Sequence, residues 1–475
     1  MAITADKAIE ALLKTYYKDG VENLLMRNSP VVREIGKTRV EGKEQRFACM
    51  YGRGGAVAAK ARVAEAKAAS NSKNAEFIVT PGQMFSIFTF NNKEVQASLT
   101  KKGAYMKVAG NKAFAAAEAF RKTLAAAFYG RGYGEIAVLG STNASTLAAA
   151  SAGATNVKLT LPESAIMKID VDSDLVVKAT LAAGETANQI FTVTSISGND
   201  VYGTIGSVAF SSAAATDVIC LRGSMDGSNN PNLPMGIDGW LPIVEGRDET
   251  GSVWPSYKAT TFYGVNRSAN VEGLMGNFYY NSSNTTFKAD VEGLLRKVRR
   301  HGSKADMIIM NDGDWQKLAD EIQSTNTYFT QTTTKAARKA NIGLRDVSAS
   351  FSTNFIDVIY DDPYCPEGKF YVLDKDAVEL WTYTNAETVE NDGISGNNPG
   401  KESPEDFNDK GKEDSAFKLL IDDFVSVVPG GLTDDGESVR VTYNLFGSFV
   451  LMNPSNAGVG ILHDATPANV LGYTN

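Results

Sequence analysis

Between residues 91 and 130 one apolar face repeats over a span longer than a small domain is wide. Val95, Leu99, Met106, Ala109, Ala113, Ala116, Phe120, Leu124 and Ala127 recur every three or four positions, the spacing of a single helix face. Asn91-Asn92-Lys93-Glu94 has the form of a capping box, an Asn able to accept a first-turn N–H with an acidic residue following, and Gly130 supplies a C-terminal stop. The spacing predicts a helix over 91–129, on the order of 58 Å long at about 1.5 Å per residue. Gly103 and Gly110 inside it each cost about 1 kcal/mol relative to alanine, so a bend or a close helix crossing is expected there.

The segment before this helix cannot build a core of its own. Residues 51–80, YGRGGAVAAKARVAEAKAASNSKNAEFIVT, run from a glycine-rich turn into an alanine and lysine tract with almost nothing large enough to pack. Alanine, lysine, arginine and glutamate favour a helix, yet the tract has no apolar stripe to hold one, and short isolated helices are marginal in water. The tract therefore holds no stable element by itself, and its alanines are left open between helical and extended. A turn at Pro81-Gly82 and the alternating MFSIFTF of residues 84–90 follow. Further back, Ile9, Leu12, Leu13, Tyr16, Val21, Leu24 and Leu25 predict two short amphipathic helices over 6–27.

Beyond the glycine turn GRGYG at 130–134 the composition shifts to Ala, Ser, Thr and Val. Strands are expected at 157–161, 165–171, 175–181, 190–196, 201–205 and 218–221, separated by Gly, Asn and Asp turns. Six short strands at this spacing make a small barrel or sandwich, and it reads as inserted because the chain changes character on either side. Residues 229–286 are loop-rich, with Trp240, Trp254 and a cluster of tyrosines. Residues 288–322 form the clearest α/β unit. A helix through Leu294, Leu295 and Val298 ends at Gly302, with Arg299, Arg300 and His301 complementing its dipole. MIIM at 307–310 is a buried strand, and Asn311 with Asp314 opens a second helix carrying Trp315, Leu318 and Ile322. FIDVIY, KFYVLD, AVELWTY and, near the end, SVRVTYNLFGSFVLM at 438–452 are strands; residues 384–415, rich in Asn, Gly, Glu and Asp, are a long surface loop.

A chain of 475 residues, 43% hydrophobic, can bury more than one core, roughly two to four domains by length. Its formal net charge of -8 argues against a general nucleic-acid binder held by a basic surface. Cys49, Cys220 and Cys365 are too few and too scattered for a disulfide framework or a zinc site. The start has no signal-peptide pattern, and no run reaches the ~18 apolar residues of a membrane span, so synthesis and folding in cytoplasm are expected.

Chemistry-bearing motifs are largely missing. There is no phosphate loop, no HExxH and no GxSxG, and His301 and His463 are the only histidines. Asp170-Val-Asp172-Ser-Asp174 opens like a calcium loop, but Leu175 stands where glycine belongs and Leu181 where the closing glutamate belongs, so it reads as an acidic turn. GRGYG follows a helix instead of joining strand to helix, which removes the geometry that aims N–H groups at phosphate. The Arg299-Arg300-His301 run is what a helix C-terminus prefers, and Asp312, Asp314 and Asp320 read as a cap and a solvated face. No nucleophile, base and oxyanion donor assemble, so no enzyme activity, metal or cofactor is expected.

This order of elements resembles one family, the major capsid proteins of tailed bacteriophages with the Hong Kong 97-like fold. FYGRGYGEIAVLG (128–140) is similar to the family's turn after its spine helix, FYGVNRSANVEGLMG (262–276) to its Asp/Asn-Arg-Ser segment, and the 288–322 unit to its A-domain helix, strand and helix. The resemblance implies an α+β fold: N-terminal arm 1–45, E-loop 46–90, spine helix and P-domain start 91–140, P-domain return 226–287, A-domain 288–437 with the acidic loop 384–415, and P-domain strands 438–475. Residues 141–225 are extra, an inserted small all-β domain. The implied function is self-assembly as pentamers and hexamers into an icosahedral shell around double-stranded DNA, in a virion assembled in bacterial cytoplasm. Implied partners are other copies of the chain, portal, scaffolding and auxiliary capsid proteins, and DNA held without sequence specificity, with no membrane. An encapsulin-like compartment shell is the alternative. Arg53, Lys60, Arg62 and Lys67 of the E-loop would contact neighbouring subunits. Some members weld the shell by an isopeptide bond from an E-loop Lys to a P-domain Asn, for which Lys60 or Lys67 and Asn444 or Asn453 stand in the right elements; most relatives do without it.

Overall fold

The computed structural model describes residues 31–32, 35–40, 44–52, 57–66, 73–91, 108–244, 261–300, 302, 306–325, 350–351, 354–355, 358–382, 426–432, 438–466, 470–471 and 473–474. In chain order, β1 (Gly36–Arg39), β2 (Gln45–Gly52), α1 (Ala61–Ala66), β3 (Lys73–Val79) and β4 (Gly82–Asn91) precede the long helix α2 (Val108–Phe128). Next come β5 (Glu135–Val138), α3 (Gly140–Ala149), β6 (Val157–Thr160), α4 (Glu163–Ile166), β7 (Asp174–Lys178), β8 (Phe191–Ser197), β9 (Asp200–Ile205) and β10 (Val218–Leu221). The middle of the chain holds α5 (Ile237–Trp240), β11 (Ile243–Val244), β12 (Thr261–Phe262), β13 (Val265–Asn266), α6 (Val271–Met275), β14 (Asn277–Tyr279), α7 (Phe287–Arg300), β15 (Met307–Met310) and α8 (Asp312–Thr325). The later strands are β16 (Ser350–Phe351), β17 (Asn354–Phe355), β18 (Val358–Asp361), β19 (Lys369–Leu373), β20 (Val378–Thr382), β21 (Ser426–Leu432), β22 (Ser438–Leu451), β23 (Gly458–Ile461) and β24 (Tyr473–Thr474).

Three sheets organise these elements. The first runs β1-β20-β22-β21, with β4 antiparallel to β22 from Gly82 opposite Gly447 to Asn91 opposite Ser438. Helix α2 packs on β4 and β22. The second, β5-β10-β7-β8-β9-β6, is antiparallel throughout and has a hydrophobic core of its own, built on Leu147, Leu159, Phe191, Val193, Val201 and Ile219. The third, β14-β23-β19-β15-β18, is mixed and buried on both faces. Because side chains alternate along a strand, Met307 and Ile309 of β15 enter the central core while Ile308 and Met310 meet Val291, Leu294 and Val298 of α7. That double burial explains the unbroken apolar run MIIM. Asn311 caps α8 as its position predicts: its Oδ1 accepts the Gly313 N–H at 3.0 Å, while its Nδ2 donates to the Cys365 carbonyl at 3.0 Å.

Several expectations are corrected. Residues 165–171 are not a strand: behind Pro162, the carbonyls of Pro162 and Glu163 accept the N–H groups of Ala165, Ile166 and Met167, closing the turn α4. The sixth strand is β5, from the text after the glycine turn. Nor is this unit all-β, or a closed barrel or sandwich. It is one open sheet with α3 laid against β6, and Asn143 of α3 bonds both the carbonyl and the N–H of Thr160. Alanine and Leu147 favour helix in α3, which lies ahead of the first expected strand. The strand MFSIFTF pairs with β22, not with the hairpin β2/β3. Asn91 ends β4, and residues 92–107, with the rest of the capping box and Gly103, lie outside the described residues, as do the helices expected over 6–27 and the loop 384–415.

The layers meet around the end of α2 and the short turn α5. All of α5 is buried. The Trp240 indole donates to the Phe449 carbonyl at 2.8 Å and packs on Phe47, Phe77 and Phe262. Arg267, from the Asn-Arg-Ser segment, donates to the Gly239 and Trp240 carbonyls at 3.0 and 3.2 Å and lies over the Phe262 ring. Gly236 sits so close under α2 that a Cβ there would fall on the carbonyls of Ala127, Phe128 and Gly130. Nearby, Glu135 and Lys168 line a cavity of about 20 Å³ with Gly130, Gly132 and Gly134, room for about one water.

Two outcomes follow from this junction. Gly236→Ala is expected to cost about 1–3 kcal/mol by overpacking, read as a lowered denaturant midpoint, with Gly140→Ser, where no atom lies within 4 Å but φ is +75°, as a backbone-only comparison. Burial pulls the Lys168 ammonium from 10.5 down to about 8, against the raising influence of Glu135. Between those pH values the unfolded chain binds the extra proton, so this residue makes stability rise with pH. The stability difference between wild type and Lys168→Met is therefore expected to change in favour of wild type by about 3 kcal/mol from pH 8 to 10.5. The difference is the quantity to measure, because the buried hydroxyls of Tyr129 and Tyr371, pushed upward by burial, act in the opposite direction.

Candidate functional site

The hairpin β2/β3 is fixed at its base and uncommitted at its tip. Phe47 and Phe77 stack at 5.3 Å between centroids, Phe47 meets the edge of Trp381, and Asn270 donates to the Tyr51 carbonyl at 2.9 Å. Toward the tip the side chains turn outward: Val57 is 92% exposed, and Met50 and Val63 are exposed as well. The alanine tract is helical over Ala61–Ala66, a helix too short to hold itself in isolation. Lys60 and Arg62 are exposed there, and among the described residues neither side chain has an ion-pair or hydrogen-bond partner; Arg53 and Lys67 lie outside the described residues. A second apolar surface lies on β4, where Phe85 and Ile87 alternate outward and Phe85 meets Phe446 of β22 at 5.7 Å. Exposed apolar groups of this kind gain about 25 cal/mol per Å² when another surface covers them.

Of the cross-link candidates, Lys60, Asn444 and Asn453 are among the described residues and Lys67 is not. Asn444 sits in mid-β22 opposite Phe85 and Ser426, and Asn453 accepts from the Ser455 hydroxyl at 2.7 Å. Lys60 bonds to neither.

Residues that mimic ligand sites are occupied by the protein itself. Asp170 pairs with Lys122 at 2.6 Å, and Asp174 accepts from Thr192 at 2.7 Å and Arg222 at 3.0 Å, so the calcium-like segment fixes strands. Asp314 accepts the Gly368 N–H at 2.7 Å and Lys317 at 3.1 Å; burial raises its carboxyl while those bonds oppose the shift. The GRGYG loop is packed from within, the Gly132 carbonyl accepting the Leu233 N–H at 3.1 Å. Arg299 and Arg300 are exposed at the end of α7, and His301 lies outside the described residues.

Two buried clusters went unread in the sequence. Asp290, in the first turn of α7, accepts the His463 backbone N–H at 3.0 Å and lies 2.7 Å from His463 Nδ1, which staples α7 to the end of β23. Deeper, Lys369 of β19 contacts Asp238 of α5, whose other oxygen accepts the Tyr371 hydroxyl at 2.6 Å. Tyr129, just after α2, donates to Asp362 at 2.8 Å beside them. Burial lowers the Lys369 ammonium against the pull of Asp238, and burial raises the Glu135 carboxyl against Arg131. No local motif announces these groups, since their partners lie 131 to 233 residues away in sequence.

No protein-family model matches the chain, and no curated protein matches it. Solved structures do. The chain is similar to the capsid asymmetric unit of cyanophage A-1(L), at 10% identity and a TM-score of 0.51, over 96% of this chain and 98% of that one. It also matches the capsid of a native GTA particle (8% identity, 97% and 99% coverage, TM-score 0.43) and the SrpI encapsulin complex of Synechococcus elongatus PCC 7942 (9%, 97% and 96%, 0.40). At such identity the cyanophage likeness speaks for the fold alone, and it runs nearly end to end in both chains: this chain has the fold of the tailed-phage major capsid proteins.

Proposed function

We propose that this protein is the major subunit of a tailed-phage capsid, assembling as pentamers and hexamers into a closed icosahedral shell around double-stranded DNA. The observation that carries the proposal is the two-way coverage of a cyanophage capsid subunit, which leaves no large part of either chain without a counterpart. In this reading residues 1–45 are the arm, and 46–90 the E-loop, with the hairpin β2/β3 and α1 as its reaching part and β4 as its return. The first sheet with α2 is the P-domain and the third sheet with α7 and α8 the A-domain. The second sheet is the insertion, enlarged by β5 relative to 141–225 and carrying two helices.

Closed shells need repeated heterologous contacts that turn by a fixed angle. A hairpin rigid at its aromatic base and apolar at its tip meets that need, because the base sets the direction and the tip supplies surface that only a neighbour can cover. Lys60 and Arg62, with Arg53 and Lys67, add charge pairs worth about 0–1 kcal/mol each when exposed, so cohesion must sum over many contacts. Portal, scaffolding and auxiliary proteins complete the assembly. DNA is enclosed without sequence readout, in keeping with the net charge of -8.

Negative-stain microscopy of the expressed full chain tests the reading. Closed particles of uniform size are expected, and a protein that stays monomeric under all assembly conditions would sink it. Nuclease-protected DNA in particles from infected cells separates a virion shell from an encapsulin-like compartment, which would carry an enzyme instead. Deleting residues 54–72 is expected to leave a soluble folded subunit that closes no shells. The milder pair Val57→Asp and Val63→Asp is expected to leave the unfolding midpoint of the subunit within about 0.5 kcal/mol of wild type while abolishing particles. Normal particles from either variant would refute the assignment of the tip.

A further inference from the structure

Asp238 and Lys369 are 131 residues apart in sequence and in direct contact in the core. Their side chains are 3% and 0% exposed. The second Asp238 oxygen accepts the Tyr371 hydroxyl at 2.6 Å, and the Lys369 Nζ also donates to the Leu471 carbonyl at 3.0 Å. A third ionisable group, Glu135, is buried alongside, and both Asp238 and Lys369 act electrostatically on its carboxyl. Its Oε2 accepts the Arg131 N–H at 2.6 Å, and its Oε1 is buried with no hydrogen-bond partner.

We propose that Lys369 and Asp238 condense into an intrachain isopeptide bond. The proposal rests on this buried geometry and not on the shell-forming reading. A proton first passes from the ammonium to the carboxylate, giving a neutral amine against a carboxylic acid, a transfer that a dry interior favours because neither charge is solvated there. Burial acts in the same direction on the lysine, whose ammonium is lowered, and on Glu135, whose carboxyl is raised; Glu135 is the buried acid to which the proposal gives the proton relay. The amine lone pair then attacks Cγ of Asp238. The Tyr371 hydroxyl, already on Oδ1, stabilises the oxyanion that develops there. Oδ2 leaves as water, taking the proton it accepted and one more from the nitrogen. Ammonium plus carboxylate gives amide plus one water, with no oxidant, reductant or other reactant.

The surroundings suit the product better than the reactants. The amide N–H keeps the Leu471 carbonyl as acceptor, the amide oxygen keeps the Tyr371 hydroxyl as donor, and no buried charge is left between them. Holding amine and carboxyl in contact also supplies the large effective molarity of an intramolecular reaction. The bond would tie the turn that carries Trp240 to β19 and so to the third sheet.

The test is a tryptic digest of the folded, purified full chain after prolonged incubation at neutral pH. The expected species joins the peptide 223–247 to 346–375, uncut after Lys369 and one water lighter than the two peptides together. The intact protein is lighter by the same water. Lys369→Arg keeps the cation but removes the nucleophilic amine, and its mass is expected to equal its sequence mass; Tyr371→Phe and Glu135→Gln are expected to slow formation of the branched species at least tenfold. Recovery of the separate linear peptides 223–247, 346–369 and 370–375 from folded wild type, with none of the branched species, would overturn the proposal whether or not the variants fold.

Discussion

Four buried residues, Ile237 to Trp240, hold the layers of this protein to one another. Between them they reach several elements. Asp238 takes Lys369 and Tyr371 from the third sheet, and the carbonyls of Gly239 and Trp240 take Arg267. The Trp240 indole reaches the Phe449 carbonyl in the first sheet, and its ring receives the base of the hairpin. Gly236, just before them, lets the end of α2 approach until backbone meets backbone. A turn this short has little stability of its own. Its conformation is therefore set by the elements around it, and their relative positions are set by it.

That arrangement separates what is settled inside one chain from what is left open. The second sheet has its own core, and sheet three is covered on both faces, so neither depends on a neighbour for burial. The hairpin tip and the outward face of β4 are different: Val57, Val63, Phe85 and Ile87 remain in solvent. A single chain gains nothing by exposing them. Any surface that covers them would gain about 25 cal/mol per Å² of apolar area removed from water.

How much of this could be read in advance depends on the range of the interaction. The helix, strand and helix over 288–322 were legible because each signal is local: Leu294, Leu295 and Val298 at helical spacing, a basic last turn, an apolar run and Asn311 as a cap. The long ladder of β22 with β4 was legible as two strands but not as a pair, since register is a tertiary property. Residues 165–171 misled because β-branched and apolar content was weighed above Pro162, whose carbonyl starts the turn instead. The buried ionic cluster was illegible altogether. Asp238 in IDGW and Lys369 in GKFYVLD look like ordinary solvated charges, and only the folded chain places them together.

The same separation of range bears on why the charges lie where they do. Lys60 and Arg62 near the tip are exposed, and an ion pair between exposed side chains is weak and screened by salt. Lys369 and Asp238 have given up water entirely. Buried in contact, they admit one partner and one register between α5 and β19. The hairpin's base packs on Trp240, two residues from Asp238, so the register of that buried pair bears on the direction in which the exposed tip points.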